Sequence, residues 1–135
     1  MIYLIDTNVC VRYLNGRSES IRERILTTNP QDIAVCSVVK FELFYGALRS
    51  NNPERNLERQ QEFLHRFVSL PFDDAAASIA SRIRAVLAAN GTPIGAYDIQ
   101  IAAIAIANNL TLVTHNTDEF SRVEGLQIED WEVEA

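Results

Sequence analysis

The sequence predicts a three-layer α/β sandwich, with a mostly parallel central sheet of about five strands flanked by helices. Three observations carry that prediction. Residues 2–5 and 33–36 are short, continuous apolar runs, as in strands buried on both faces, and 110–114 is a third strand-forming run. The first two run directly into helix-capping residues and then into helix-period segments. Residues 99–107 are apolar almost all round, so the helix they form must be central and buried.

Each element follows from local chemistry. The first strand runs into Asp6, Thr7 and Asn8. The side-chain oxygens of Asp6 and Thr7 can cap a following helix, which continues over 9–14 and stops at Asn15-Gly16. In the next helix Ser20 and Glu23 have capping-box spacing, with Ile21, Ile25 and Leu26 on one face, and Asn29-Pro30 ends it. After the strand at 33–36, Ser37 caps a helix to about Leu48 with Phe41, Phe44, Tyr45 and Leu48 as its apolar face. Glu42 lies within it among mostly apolar neighbours, where a carboxylate must reach solvent, a partner or a cation. Pro53 suits the first position of a further helix, with Leu57, Phe63, Leu64 and Phe67 toward the core. A weak strand at 69–72 precedes a helix over 76–89, capped by Asp73 or Asp74 and stopped by Asn90-Gly91. A loop over 92–97 leads to Asp98, which opens the buried helix. The segment 126–131 can add a last edge strand.

With 135 residues and 47% hydrophobic content, the chain suits one domain, residues 1–135, with a real core. Met1 leads at once into a strand, without a basic leader, and no apolar run reaches the ~18 residues of a membrane span. A cytoplasmic protein with no membrane partner is expected. Cys10 and Cys36 lie among apolar residues and lack C-x-x-C spacing, so they read as reduced core residues. A net charge of −6 argues against nucleic-acid binding by bulk charge. It leaves room for a local basic rim, because the eleven arginines, against the single Lys40, are many of them between Arg49 and Arg84. Their planar forks suit phosphate, although solvated helix faces account better for most of them.

Acidic residues recur at strand ends. Asp6 follows the first strand, Glu42 lies about one turn into the helix after the second, and Asp98 opens the helix before the third. Asn116, Asp118 and Glu119 follow that strand. Right-handed crossovers bring such strand ends to one edge of the sheet, where ligands bind in open parallel sheets. Converging carboxylates without matching lysines repel and need a cation. Oxygen ligands without histidine or cysteine favour Mg2+, with Mn2+ as the alternative, over Zn2+. Such a cation activates water and stabilises charge at phosphorus. Taken singly, Asp6 and Asp98 also read as helix caps, and Glu42 and Glu119 as surface charges.

Four motifs in order give the chain a family resemblance. They are Ile5-Asp6-Thr7-Asn8; Ser37-Val38-Val39-Lys40-Phe41-Glu42-Leu43 with Tyr45-Gly46; Gly91-Thr92-Pro93-Ile94-Gly95-Ala96-Tyr97-Asp98 with Ile101-Ala102-Ala103; and Val113-Thr114-His115-Asn116 with Glu119-Phe120. Over nearly its whole length the chain resembles the PIN-domain ribonucleases, specifically the VapC toxins of toxin–antitoxin modules. The resemblance implies a PIN-like fold and a metal-dependent endoribonuclease that cleaves structured RNA such as tRNA, or mRNA. It implies Asp6, Glu42 and Asp98 as catalytic and metal-holding acids, with Thr7, Asn8 and Ser37 as polar support. It also implies a VapB-type antitoxin partner covering the site and a toxin homodimer. The family's fourth acid falls in a Thr-x-Asp motif, where this sequence has Asn116. Asp118 and Glu119 are the candidate substitutes, and Glu119 is favoured: if Asn116 caps a short helix, Glu119 is the third helical residue and folds back toward the cap. Asn116 then supports rather than carries charge.

Two other readings are open to test. A phosphoacceptor or phosphatase of doubly wound fold would need a lysine near Thr114-His115-Asn116, or a second aspartate where Asn8 stands. A catalytically weak PIN-like domain that only binds RNA or a partner is the non-enzymatic alternative.

Overall fold

The two central apolar runs become the middle of a five-stranded sheet. In the computed structural model, which describes residues 1–132, the strands are β1 (Tyr3–Ile5), β2 (Ile33–Cys36), β3 (Val68–Leu70), β4 (Thr111–Val113) and β5 (Ile128–Glu129). The last three residues of the expected 1–135 domain lie outside the described residues. The strand order is β3-β2-β1-β4-β5, and each neighbouring pair is parallel. Leu4, Ile5 and all four residues of β2 are buried, as continuous apolar strands covered on both faces require.

The helices are α1 (Thr7–Leu14), α2 (Glu19–Thr27), α3 (Ser37–Leu48), α4 (Pro53–Leu64), α5 (Asp74–Ala89), α6 (Ala96–Ala107) and α7 (Thr117–Phe120), with a 3-10 turn at Pro30–Asp32. Among the described residues no helix is long and apolar enough to cross a membrane. As expected, Asp6 caps α1, Asp73 caps α5, and α6 is the most deeply buried helix, with Ile101 to Ala105 shielded from solvent. Gly16 and Gly91 adopt φ of +64° and +69°, the left-handed turn that ends α1 and α5 at low cost only for glycine.

Three local expectations are corrected. The cap of α2 is Ser18, which accepts from the Ile21 N–H at 3.2 Å; Ser20 only bonds the Ser18 hydroxyl, and Leu26 is exposed. Helix α3 starts at Ser37 itself, with Cys36 in the cap position. Its buried face is Val38, Val39, Leu43 and Ala47, whereas Phe41, Tyr45 and Leu48 are 55%, 59% and 60% exposed. With apolar residues on nearly every side, the smaller β-branched and aliphatic ones pack against the sheet and the larger ones face outward.

The C-terminal strand is held by side chains as much as by its short ladder. Arg24 Nη2 pairs with Glu129 Oε1 at 2.7 Å, Trp131 Nε1 donates to the same oxygen at 2.9 Å, and the Arg24 guanidinium lies 4.7 Å from the Trp131 ring centre. The ion pair is partly exposed and contributes about 0–1 kcal/mol. Buried Trp131, packed edge-on against Tyr3, supplies more.

Candidate active site

Strand order reverses at β1: β2 and β3 continue on one side, β4 and β5 on the other. That reversal opens a crevice between the carboxyl ends of β1 and β4. Register fixes what meets there. Ile5 pairs with Val113, and the Asp6 N–H donates to the Val113 carbonyl at 3.1 Å, which sets Asp6 beside Thr114.

A cavity of about 100 Å3 at this point is lined by Asp6, Thr7, Asn8, Glu42, Asp98 and Asn116, with Ile101 and Phe120 behind them. Asp6 is 5% exposed. Its Oδ1 accepts from the Val9 N–H at 2.9 Å, so the residue both caps α1 and faces the crevice. Burial pushes its carboxyl above the usual range, the Thr114 hydroxyl and the Val9 N–H pull it down, and the charge of Glu42 pushes it up again. Thr7 Oγ1 donates to Glu42 Oε1 at 2.8 Å, so the first residue of α1 aims the carboxylate of α3. Asp98 lies in the first turn of α6. Burial first, then the charges of Glu119, Glu42 and Asp6, push its carboxyl up to about 6. The cap of α1 and the helices α3 and α6 thus deliver one acid each.

The last loop is organised by hydrogen bonds rather than by a cap. Asn116 occupies the cap position of α7 without a capping side-chain bond; instead its Nδ2 donates to Glu119 Oε2 at 3.1 Å. Its own N–H donates to Thr114 Oγ1 at 3.0 Å. Glu119 does not line the cavity, yet its charge acts on Asp98. Ser37 is not brought in: its hydroxyl donates to the Leu70 carbonyl at 3.5 Å, outside the cavity. Sequence reasoning missed Thr114, which is fully buried between Asp6 and the Asn116 backbone. Its signal was a polar residue ending an otherwise buried strand. Phe41 and Tyr97 were also missed as a pair; their rings meet edge-to-face at 5.5 Å, and each precedes a site acid in the chain.

The donor set is all oxygen. Among the described residues no three histidine, cysteine or acidic side chains form a ready-made chelate. Magnesium needs only one or two carboxylates and keeps several waters, so Asp6, Glu42 and Asp98 around one small polar cavity fit a hard divalent cation. Cys10 and Cys36 are free and buried behind the site, and burial raises both thiols, Cys36 to about 11, so they stay protonated.

A parallel α/β sheet that gathers carboxylates at its switch point defines a hydrolase of the acid-cluster kind, suited to phosphodiester bonds. The PIN domain model matches residues 3–126, and this chain belongs to that family. It is 43% identical over 129 residues to the tRNA(fMet)-specific endonuclease VapC of Shigella flexneri, covering 96% of this chain and 97% of that one. It is 37% identical over 133 residues to ribonuclease VapC2 of Rickettsia felis, covering 98% and 99%. A crystal structure of DNA-bound VapBC from Salmonella typhimurium matches it with a TM-score of 0.92 at 41% identity, covering 97% of this chain and 98% of that one. Within the PIN domains, the chain is of the VapC type.

Proposed function

We propose that this chain is the toxin of a type II toxin–antitoxin pair, an endoribonuclease in which Asp6, Glu42 and Asp98 hold a divalent cation, Mg2+ or Mn2+. The observation that carries this reading is the convergence of these acids, from the cap of α1, the second turn of α3 and the first turn of α6, on one cavity. The bound cation supplies an activated water and offsets charge developing at phosphorus. The chain's own residues do the rest. Thr7 fixes the rotamer of Glu42, the Val9 N–H and the Thr114 hydroxyl hold Asp6, and Asn8 contributes a neutral polar group at the rim. Glu119 adds negative charge from outside the cavity, steered by Asn116. The substrate class is structured RNA, with tRNA favoured by the name of the Shigella flexneri relative. The partner is a VapB-type antitoxin, and the setting is the cytoplasm.

The test is sequencing of RNA 5′ ends after induced expression, beside an Asp6→Asn control. Asparagine still caps a helix well, so the control keeps the fold while losing the charge. New ends at defined positions are expected for the parent and none for Asp6→Asn. Identical RNA profiles would instead favour a PIN-like domain that binds without cutting.

Glu119→Gln keeps an oxygen for Asn116 but removes the charge. It is expected to raise the Mg2+ concentration needed for half-maximal cleavage about tenfold, as loss of an outer carboxylate does. Asp118→Asn should change it little, and Asn116→Asp should be tolerated. An unchanged Mg2+ titration for Glu119→Gln would leave a site of three acids.

Homodimerisation is supported by the outward stripe of Phe41, Tyr45 and Leu48 on α3, spaced so that they share one face. Tyr45→Glu with Leu48→Glu is expected to convert a dimer into a monomer in sedimentation velocity. A double variant that still sediments as a dimer would move the interface elsewhere.

A further inference from the structure

We propose that His115 is a positioning residue: braced by residues 130–132 and Arg12, it holds the loop carrying Asn116 and Glu119 against α1 and so sets the affinity of the acid cavity for its cation; this rests on the cation-dependent reading above. The loop needs an outside hold. Helix α7 is a single turn of four residues, too short to be stable by itself. Asn116, at its cap position, has an irregular backbone and no capping side-chain bond. Yet the loop must be fixed in place, because Asn116 lines the acid cavity and steers Glu119, whose charge acts on Asp98.

The hold comes from the residues just past β5. The Thr114 N–H donates to the Glu129 carbonyl at 3.0 Å, which brings the end of β4 alongside that segment. The next side chain, His115, then meets Asp130, Nδ1 to Oδ2 at 3.0 Å, and Glu132, Nδ1 to Oε2 at 3.8 Å. A carboxylate oxygen only accepts, so Nδ1 carries the hydrogen. The other oxygen of Asp130, Oδ1, accepts from the Glu132 N–H at 2.9 Å. That turn folds Glu132 back, and its Oε1 lies 3.3 Å from Nε of Arg12, in the last turn of α1. Both oxygens of each acid are thus engaged, and neither carboxylate can rotate without losing a contact.

The brace joins two walls of the acid cavity that are distant in the chain. Helix α1 starts at the cavity with Asp6 and Thr7, and Thr7 aims Glu42. The loop after β4 brings Thr114 to Asp6 and Asn116 to the cavity. Through Arg12, Glu132 and His115 the last turn of α1 is tied to that same loop. The ties add little to stability, since the side chains of His115 and Arg12 are 59% and 46% exposed and solvent screens such pairs. Their consequence is orientation, as for outer groups that hold metal ligands in place.

The experiment measures Mg2+ affinity by titration calorimetry without RNA, kcat and KM for RNA at limiting and saturating Mg2+, and melting temperature in EDTA. It compares the parent with His115→Ala, His115→Asn, Glu119→Gln and the double variant of His115→Ala with Glu119→Gln. His115→Ala is expected to raise the Kd for Mg2+ about tenfold, as loss of an outer orienting group does. It should lower kcat at limiting Mg2+ and much less at saturating Mg2+, with KM for RNA and the melting temperature in EDTA at parental values. His115→Asn keeps an N–H donor two bonds beyond Cβ, as Nδ1 is, and should restore parental affinity. Added to Glu119→Gln, His115→Ala should cost less than about twofold more, because the two act along one path. A parental Kd in His115→Ala overturns the proposal and leaves the ribonuclease reading intact. A weaker Kd matched by a lower melting temperature in EDTA, without rescue by asparagine, also overturns it and assigns the brace to the fold. Fully additive losses in the double variant overturn it too, since His115 would then act apart from Glu119. A parent that binds no Mg2+ and cuts no RNA overturns both readings.

Discussion

Asp98→Asn is expected to lower RNA cleavage by on the order of a thousandfold, because the charge stabilisation it removes is worth several kcal/mol in the transition state. The same substitution is expected to stabilise the metal-free fold. Asp98 shares a small cavity with Asp6 and Glu42, and its carboxyl is pushed up to about 6, so near neutral pH its negative charge works against folding. Activity and stability then move in opposite directions, a combination that general misfolding cannot produce. In cells the variant should relieve growth arrest at unchanged protein level. An Asp98→Asn protein as toxic as the parent would remove Asp98 from the chemistry.

The melting temperature of the metal-free protein is expected to fall as pH rises from about 4 to above 6, and divalent cations should reverse the loss. The direction follows from proton binding. The Asp98 carboxyl ionises near the ordinary value of 3.8 when unfolded and at about 6 when folded, so between those values the folded chain holds more protons. Stability contributed by the protonated form is full below the unfolded value and is lost as pH passes the folded one. Asp6 is raised in the same direction by burial and adds to the trend. Cation binding replaces the proton as the neutralising charge. At a hundredfold excess over Kd it contributes about 2.7 kcal/mol, a rise of roughly 5–10 °C for a chain of this size. Thermal melts at pH 5 and 8, in EDTA and in excess Mg2+, check both halves. Superimposed curves at pH 8, with no binding by titration, would contradict the acid cluster as a cation site.

The acids were legible because each follows a strong local signal. Asp6 follows a buried strand, and Asp98 lies in the first turn of a helix too apolar to lie anywhere but the centre. Residue type and strand-end position were enough to bring them together without knowing any distance. What failed was facing. Helix α3 is apolar on most sides, so periodicity could not choose between Val38-Val39-Leu43-Ala47 and Phe41-Tyr45-Leu48; only packing against the sheet did. The Ser20–Glu23 spacing was real but began two residues late, because Ser18 already bonds the Ile21 N–H. The role of Thr114 depends on the β1–β4 register, and that of His115 depends on where residues 130–132 pass. Neither is written in either segment alone.

The placement of β1 also sets the order in which the enzyme can come into being. The innermost strand is the first of the five in sequence, and its neighbours come from residues 33–36 on one side and 111–113 on the other. A ribosome that has delivered residues 1–100 has already made all three acids, yet the strand before Asp6 still has one bare edge. Such long-range pairing is slow, because loop closure precedes any gain. The site can therefore assemble only after β4 has been made. Until β4 is made, a cell meets this chain as an inert, incomplete sheet, and it meets an active enzyme only after β4 has closed the centre.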